Sequence, residues 1–266
     1  MKSPIKLLAL SALAMLTVSQ SHAAITVNFQ LSAPAIQQSA FQGQQDYLTE
    51  NFNSLPVGAL SSPGTLAVGN YTSTGGTQIL NADIHGGAGG TGRYAFTGAS
   101  GELSINLAPS KYVGFWMSAG NPGNFVDFYE SGNLAATFST STISDLLGAQ
   151  NSPNQVLAAD GQTYSGALWY GNPNPGLNAP GVQNTIFAYV NAGLSDPNAT
   201  FDKIVFRGQY FEFDNVTTSA IYSIDPEPSP VPEPGQVAAS LLLLAGIGGY
   251  VWTKRRKTAK AAVAAA

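Results

Sequence analysis

Hydrophobic and polar positions alternate in short runs along most of this chain, and a helical repeat is almost absent. The clearest run is Tyr112–Ala119, where Val113, Phe115 and Met117 fall on one face of a strand. Gly120–Gly123 (GNPG) then predicts a turn. Further strands are predicted at Ile25–Leu31, Tyr47–Phe52, Thr77–Leu80, Arg93–Thr97, Glu102–Leu107, Phe125–Glu130 and Leu134–Ser139. Later ones are predicted at Ala167–Tyr170, Thr185–Asn191, Lys203–Arg207 and Phe211–Tyr222. The glutamine-rich stretch Ala35–Gln45 reads as a short helix or a loop, and Asn53–Gly58 as a turn. Thr142–Leu147 is the best short helix, with Thr142 or Ser144 as its cap. Many short strands separated by Gly, Pro, Asn and Ser predict an all-β fold: an antiparallel β-sandwich, with a jelly roll of two facing sheets as the expected form.

The two ends follow different rules. Lys2 and Lys6 precede an apolar run, Leu7–Val18, that is too short to span a bilayer. Ser21 and Ala23 follow at cleavage-site spacing. Residues 1–23 therefore read as a secretory signal peptide. Residues 24–224 form the expected ectodomain. Residues 225–234 (DPEPSPVPEP) form a semi-rigid proline-rich spacer. Residues 235–253 carry no charge and end in Tyr250 and Trp252, rings that favour a membrane interface. From Val237 onward a helix would be about 25 Å long at ~1.5 Å per residue, close to a bilayer core of ~30 Å once Gly235 and Gln236 join it. The basic cluster Lys254, Arg255, Arg256, Lys257 opens the expected cytoplasmic tail, 254–266. A buried core helix is the competing reading of 235–253. A helix with no polar face that ends in four cations argues against it.

Charge changes the picture of the middle. Between residues 24 and 230 four cations (Arg93, Lys111, Lys203, Arg207) face fourteen acids, a net charge of −10. That surface argues against nucleic acid and against anionic lipid. It suits a soluble exported domain or a calcium binder. There is no cysteine, which excludes thiol nucleophiles, cysteine-based zinc sites and disulfides. One histidine, His85, remains after the signal segment.

Val231-Pro232-Glu233-Pro234, then an apolar helix, then a cluster holding Arg255 and Arg256, resembles the PEP-CTERM sorting signal in the order of all three parts. In that family the signal is read by exosortase, a membrane-embedded cysteine-protease-like enzyme of Gram-negative bacteria. The resemblance covers about 30 residues. It implies removal of the helix and delivery to the cell surface or extracellular matrix, often beside an exopolysaccharide locus. It also implies that Val231, Pro232, Glu233, Pro234, Arg255 and Arg256 form the sorting motif. The middle of the chain is similar to the jelly-roll, lectin-like ectodomains of exosortase-dependent surface proteins, through Glu50–Pro56, Trp169–Asn172, Phe201–Phe206 and Phe211–Val216.

Candidate chemistry inside the domain is sparse. Gly87, Gly89 and Gly92 match dinucleotide-binding spacing, but strand-like sequence follows where that motif needs a helix. His85-Gly86-Gly87 resembles an esterase oxyanion loop, yet the chain holds no G-x-S-x-G. A flexible exposed loop is the plainer reading of His85–Gly92. Asp127 and Glu130 are the best carboxylate pair for glycoside hydrolysis, but three residues apart on a strand they point to opposite faces. Lectin-like jelly rolls often tie their first and last strands with one calcium ion. By that resemblance Glu50 and Asp214 are the expected ligands, with Asn51 or Asn215 adding oxygen. Trp169, Tyr170 and Asn172, in a Gly/Pro/Asn-rich region, are the candidate carbohydrate platform, with Trp116 second; core packing is the competing reading. No catalytic residue is assigned. The expected protein is a non-enzymatic, exported surface or matrix component, membrane-anchored before processing, with exosortase as processing partner and exopolysaccharide as associated ligand. A carbohydrate-active enzyme and a plain C-terminally anchored adhesive protein are the alternatives.

Overall fold

A computed structural model describes residues 26–150 and 154–221. The signal segment 1–23, the spacer with its sorting motif, the apolar stretch 235–253 and the basic tail lie outside the described residues. Among the described residues no helix is long and apolar enough to cross a membrane.

The strands, in chain order, are β1 Val27–Leu31, β2 Tyr47–Glu50, β3 Gly58–Ala59, β4 Gly64–Leu66, β5 Gly69–Thr74, β6 Gln78–Asn81, β7 Arg93–Phe96 and β8 Glu102–Ser110. They continue as β9 Tyr112–Gly120, β10 Phe125–Glu130, β11 Asn133–Ser139, β12 Gln155–Leu157, β13 Thr163–Ser165, β14 Ile186–Leu194, β15 Phe201–Arg207 and β16 Glu212–Ser219. Every pairing is antiparallel. One sheet runs β1-β14-β9-β16-β7-β6-β3, with β2 also on β16. The other runs β11-β10-β15-β8-β5-β4, and β12 with β13 forms a separate hairpin. The all-β architecture of two packed sheets agrees with the sequence reading.

The alternation of β9 places Val113, Phe115 and Met117 in the core between the sheets. Phenylalanines from both sheets meet them there. Phe206 on β15 stacks on Phe213 of β16 at 3.9 Å with planes 6° apart, and Phe115 meets Phe206 edge-on at 5.3 Å. Such pairs add about 0.5–1.5 kcal/mol each beyond the area they bury.

The opposite face of the larger sheet is buried as well. Trp116 and Tyr189, cross-strand partners on β9 and β14, pack with Phe187, Val182 and Ala119 in a second cluster. Loop residues Ile84 and Ala88 close over it. Gln37 knits this cover together. Its Nε2 donates to Asn174 Oδ1 (2.7 Å), its Oε1 accepts Gly89 N–H (2.7 Å), and its carbonyl accepts from Asn215 Nδ2 (2.9 Å). The stretch Ala35–Gln45 is thus a loop and a structural one.

Several expected boundaries shift for local reasons. The helix α1 spans Thr140–Leu147, and its cap is Ser139, whose Oγ accepts Thr142 N–H at 3.2 Å. The capping hydroxyl therefore lies ahead of both expected candidates. Ala167–Tyr170 is not a strand: Gly166–Trp169 forms a 3-10 turn that drives the Trp169 ring into the core. The edge strands β3 and β4, their neighbour β5 and the β12–β13 hairpin fall outside the predicted strands, because they are short and rich in Gly, Ser, Thr and Gln. On β16 a bulge at Asn215, with φ 47°, interrupts pairing between Asp214 and Thr217.

Candidate functional site

Trp169 and Asn172 do not form an exposed platform. Trp169 is 1% exposed, and its indole N–H donates to the Ser32 carbonyl (3.2 Å). Tyr164 meets its ring edge-on at 6.1 Å. Asn172 is buried; its Nδ2 donates to the Ile84 carbonyl and its Oδ1 accepts Asn174 N–H. The half-buried Tyr170 donates its hydroxyl to the Gly148 carbonyl (2.6 Å). Core packing, the competing reading, describes Trp169. Trp116 is also buried, inside the second cluster.

Glu50 and Asp214 lie close enough that the Glu50 charge helps to raise the Asp214 carboxyl. Both are buried and both spend their oxygens on backbone amides. Glu50 accepts Phe52 N–H (2.6 Å) and Ala67 N–H (2.8 Å). Asp214 accepts Ala88 N–H (2.9 Å) and Asn215 N–H (2.7 Å). Burial pushes Asp214 up to about 7, against the lowering effect of those two amides. Among the described residues no group of three or more acids and histidines is placed to hold a metal ion. Asn51 is exposed and accepts Asn53 N–H (3.2 Å). The structure therefore brings Glu50 and Asp214 together, with each of their four oxygens holding one backbone amide.

Asp127 and Glu130 do not converge either. Asp127 takes a two-point contact from Arg207, at 2.6 Å from Nε and 3.0 Å from Nη2, and accepts from Thr137 Oγ1 (2.7 Å). Burial alone would raise its carboxyl; the hydrogen bonds from Arg207 and Thr137 outweigh burial and hold it below the usual range. Glu130 sits at the end of β10 and accepts from Ser131 Oγ (2.9 Å).

The glycine-rich segment is a packed cover instead of a free loop. Asp83 Oδ1 accepts the amides of His85 (2.8 Å) and Gly86 (2.9 Å). A Cβ on Gly86 would come within 2.4 Å of the Tyr94 ring, so this position needs glycine. At Gly87, φ is +94° and a Cβ would meet Ala82 at 2.4 Å. These glycines serve close packing over a sheet.

Two of the concavities among the described residues bear on ligand binding. The larger, about 430 Å³, is lined by Ile36, Phe41, Tyr112, Asp160 and Asn191 among others. The polar groups at its base are already paired with one another. Tyr112 donates to Asn191 Oδ1 (2.7 Å) and lies 3.0 Å from Ser39 Oγ, while Asn191 Nδ2 donates to Ser32 Oγ (3.0 Å).

The second, about 330 Å³, lies over the outer face of the larger sheet. It is lined by His85, Phe96, Asn121, Thr185, Tyr210 and Glu212, with Ala119 and Gly181. Glu212 pairs with Phe96 on β7 and Ser118 on β9. Since Phe211 and Phe213 point into the core, Glu212 points out into the cleft. It is only 8% exposed, and its Oε2 has no hydrogen-bond partner. Burial, followed by the charge of Asp83, pushes its carboxyl up to about 8. Tyr94 beneath is raised by burial, then by Glu212 and Asp83. Burial thus favours the protonated form of Glu212, which can donate a hydrogen bond.

Beside it Tyr210 stacks on Phe96, with ring centroids 6.0 Å apart and planes at 22°. Tyr210 is 53% exposed yet held at φ 54° by its N–H to the Gly98 carbonyl. Ala119, also lining the cleft, has φ 46°. Left-handed backbone at a non-glycine residue costs on the order of 1–3 kcal/mol and gathers at functional sites. The reading of sequence missed Phe96, Asn121, Thr185, Tyr210 and Glu212. The one signal it offered was an acid between two core phenylalanines, Phe211-Glu212-Phe213, at a position that must face away from the core.

No protein-family model matches this chain, and no curated protein is significantly similar to it.

Proposed function

We propose that this chain is an exported cell-surface or extracellular-matrix protein, sorted and processed by exosortase through its PEP-CTERM-like tail, whose sandwich associates with polysaccharide without turning it over. The observation that carries this reading is the order Val231-Pro232-Glu233-Pro234, uncharged apolar stretch, Lys254–Lys257. A proline-locked extended peptide ahead of an apolar stretch is a shape a membrane protease can grip. The signal-like N-terminal segment and the acidic, cysteine-free domain support the same route. The apolar stretch anchors the chain in the inner membrane before processing.

The fold reading within this proposal is a lectin-like jelly roll. Its support is the way β8, β9, β10, β14, β15 and β16 cross repeatedly between the two antiparallel sheets. Of the two acids weighed for hydrolysis, Asp127 is held by Arg207 and Thr137 and Glu130 accepts from Ser131.

The test is to replace Pro232, Glu233 and Pro234 with alanine and fractionate the producing cells. The unmodified protein is expected in the outer-surface and extracellular fractions, and the variant is expected to stay in the inner membrane. Identical distributions would overturn the sorting reading.

A further inference from the structure

We propose that the cleft between Tyr210, Phe96 and Glu212 is a subsite for one neutral sugar ring of a polysaccharide. This rests on the polysaccharide-binding reading above and names the site that performs it.

Three independent features converge there. First, the exposed Tyr210 ring, braced from behind by Phe96, offers an apolar platform at the cleft mouth. A pyranose presents one face of C–H groups that packs on such a ring, leaving its hydroxyls at the edge. Second, Glu212 lines the cleft and keeps one buried oxygen, Oε2, without a hydrogen-bond partner. Buried polar atoms are almost always paired, so an unpaired one on a residue that lines a cavity singles that residue out as a ligand partner. Third, the remaining polar groups suit hydroxyls. The Thr185 hydroxyl donates to the Val182 carbonyl (2.7 Å), which leaves it an acceptor. Asn121 and His85, also in the lining, bring further polar side chains to the cleft.

The charge of the ligand follows from the lining. No lysine or arginine lines the cleft, and Asp83 lies close enough to Glu212 to raise it. A uronate or sulfated ring would find no lysine or arginine to pair with and would lie near the charge of Asp83. At about 330 Å³ the cleft sits at the low end of the ~300–1,000 Å³ typical of small-ligand sites. That is room for one ring of a chain, not for a buried oligosaccharide.

The other concavity carries less, because its convergent polar groups already satisfy one another.

The experiment is a binding titration of the full-length protein in detergent. The probes are matrix polysaccharide extracted from the producing cells, cellohexaose and xylohexaose as neutral chains, and hexagalacturonate as a charged one. The matrix polysaccharide and a neutral hexasaccharide are expected to bind, and hexagalacturonate is expected to bind at least tenfold more weakly. Tyr210→Gly removes the platform while suiting the left-handed backbone, so affinity should fall tenfold or more with no loss of thermal stability. Glu212→Leu should weaken binding similarly. Glu212→Gln keeps a donor and an acceptor and should bind within about threefold of the parent. If matrix polysaccharide binds and Tyr210→Gly binds it equally well, the subsite is wrong while the polysaccharide reading stands. If no probe binds the parent, both fall. Preference for hexagalacturonate would overturn the neutral-ring assignment.

Discussion

Asp214 Oδ2 accepts the Ala88 N–H at 2.9 Å across 126 positions of chain. That bond ties the glycine-rich cover to the central strand β16. Asp214→Ala would leave the Ala88 and Asn215 amides without their acceptor in a buried place. Each such group costs about 1–3 kcal/mol. For a domain of this size 1 kcal/mol corresponds to about 2–4 °C, so Tm should fall by several degrees in thermal unfolding. Asp214→Asn keeps one acceptor oxygen and should cost less. An unchanged Tm for Asp214→Ala would show that the cover does not depend on this bond.

Stability should depend on pH in an unusual direction. Glu212 rises from 4.5 to about 8 and Asp214 from 3.8 to about 7, both through burial first. The folded state therefore holds protons that the unfolded chain releases between those values. Stability from these two groups is greatest below about pH 3.8 and is lost as pH rises towards 8. Asp127, held low by Arg207 and Thr137, acts oppositely and withdraws its support only as pH falls below its usual range. Tm should peak in mild acid and decline to pH 8. Glu212→Gln should flatten the upper part of that decline, between about pH 5 and 8. A Tm that climbs steadily from pH 5 to 8 would contradict the burial of both acids.

Trp169 tests core against binding role. Trp169→Ala should cost about 3–5 kcal/mol, as removal of a large buried aromatic does. Tyr170→Phe loses only the bond to the Gly148 carbonyl, about 1 kcal/mol. Folded Tyr170→Phe protein should bind matrix polysaccharide as the parent does. Loss of affinity at full stability would restore the platform first expected at Trp169–Asn172.

The acids on β10 divide in the same way. Glu130→Gln should change stability by less than about 0.5 kcal/mol, since its one bond is to the neighbouring Ser131. Asp127→Ala removes the acceptor of Arg207 and Thr137 and should destabilise measurably in urea unfolding. Neither change should alter polysaccharide binding. Polysaccharide hydrolysis by the parent that Glu130→Gln abolishes would instead favour the enzyme alternative.

What could be read in the sequence was what local alternation controls. The core face of β9 and the extent of β10 follow directly from the period of two. What could not be read was the second layer. Trp116 alternates onto the outer face, which in a two-layer sandwich would meet solvent; here loops held by Gln37, Asn172 and Asp214 cover it. Those bonds join residues far apart in the chain, and no spacing announces them. The same cover buries Glu212 and shapes its cleft, so that site was hidden for the same reason. Trp169 misled because a Gly/Pro/Asn-rich neighbourhood suggests an exposed loop, while a 3-10 turn points the ring inward.

The most direct test of the account is the C-terminus of the mature protein. Protein purified from the outer-membrane and extracellular fractions of the producing cells would be read by mass spectrometry. The account predicts a terminus at or near Pro232–Pro234, with the peptide containing Lys254–Lys257 absent. An intact terminus at Ala266, in protein confined to the inner membrane, would mean a retained anchor and would contradict sorting through Val231–Pro234.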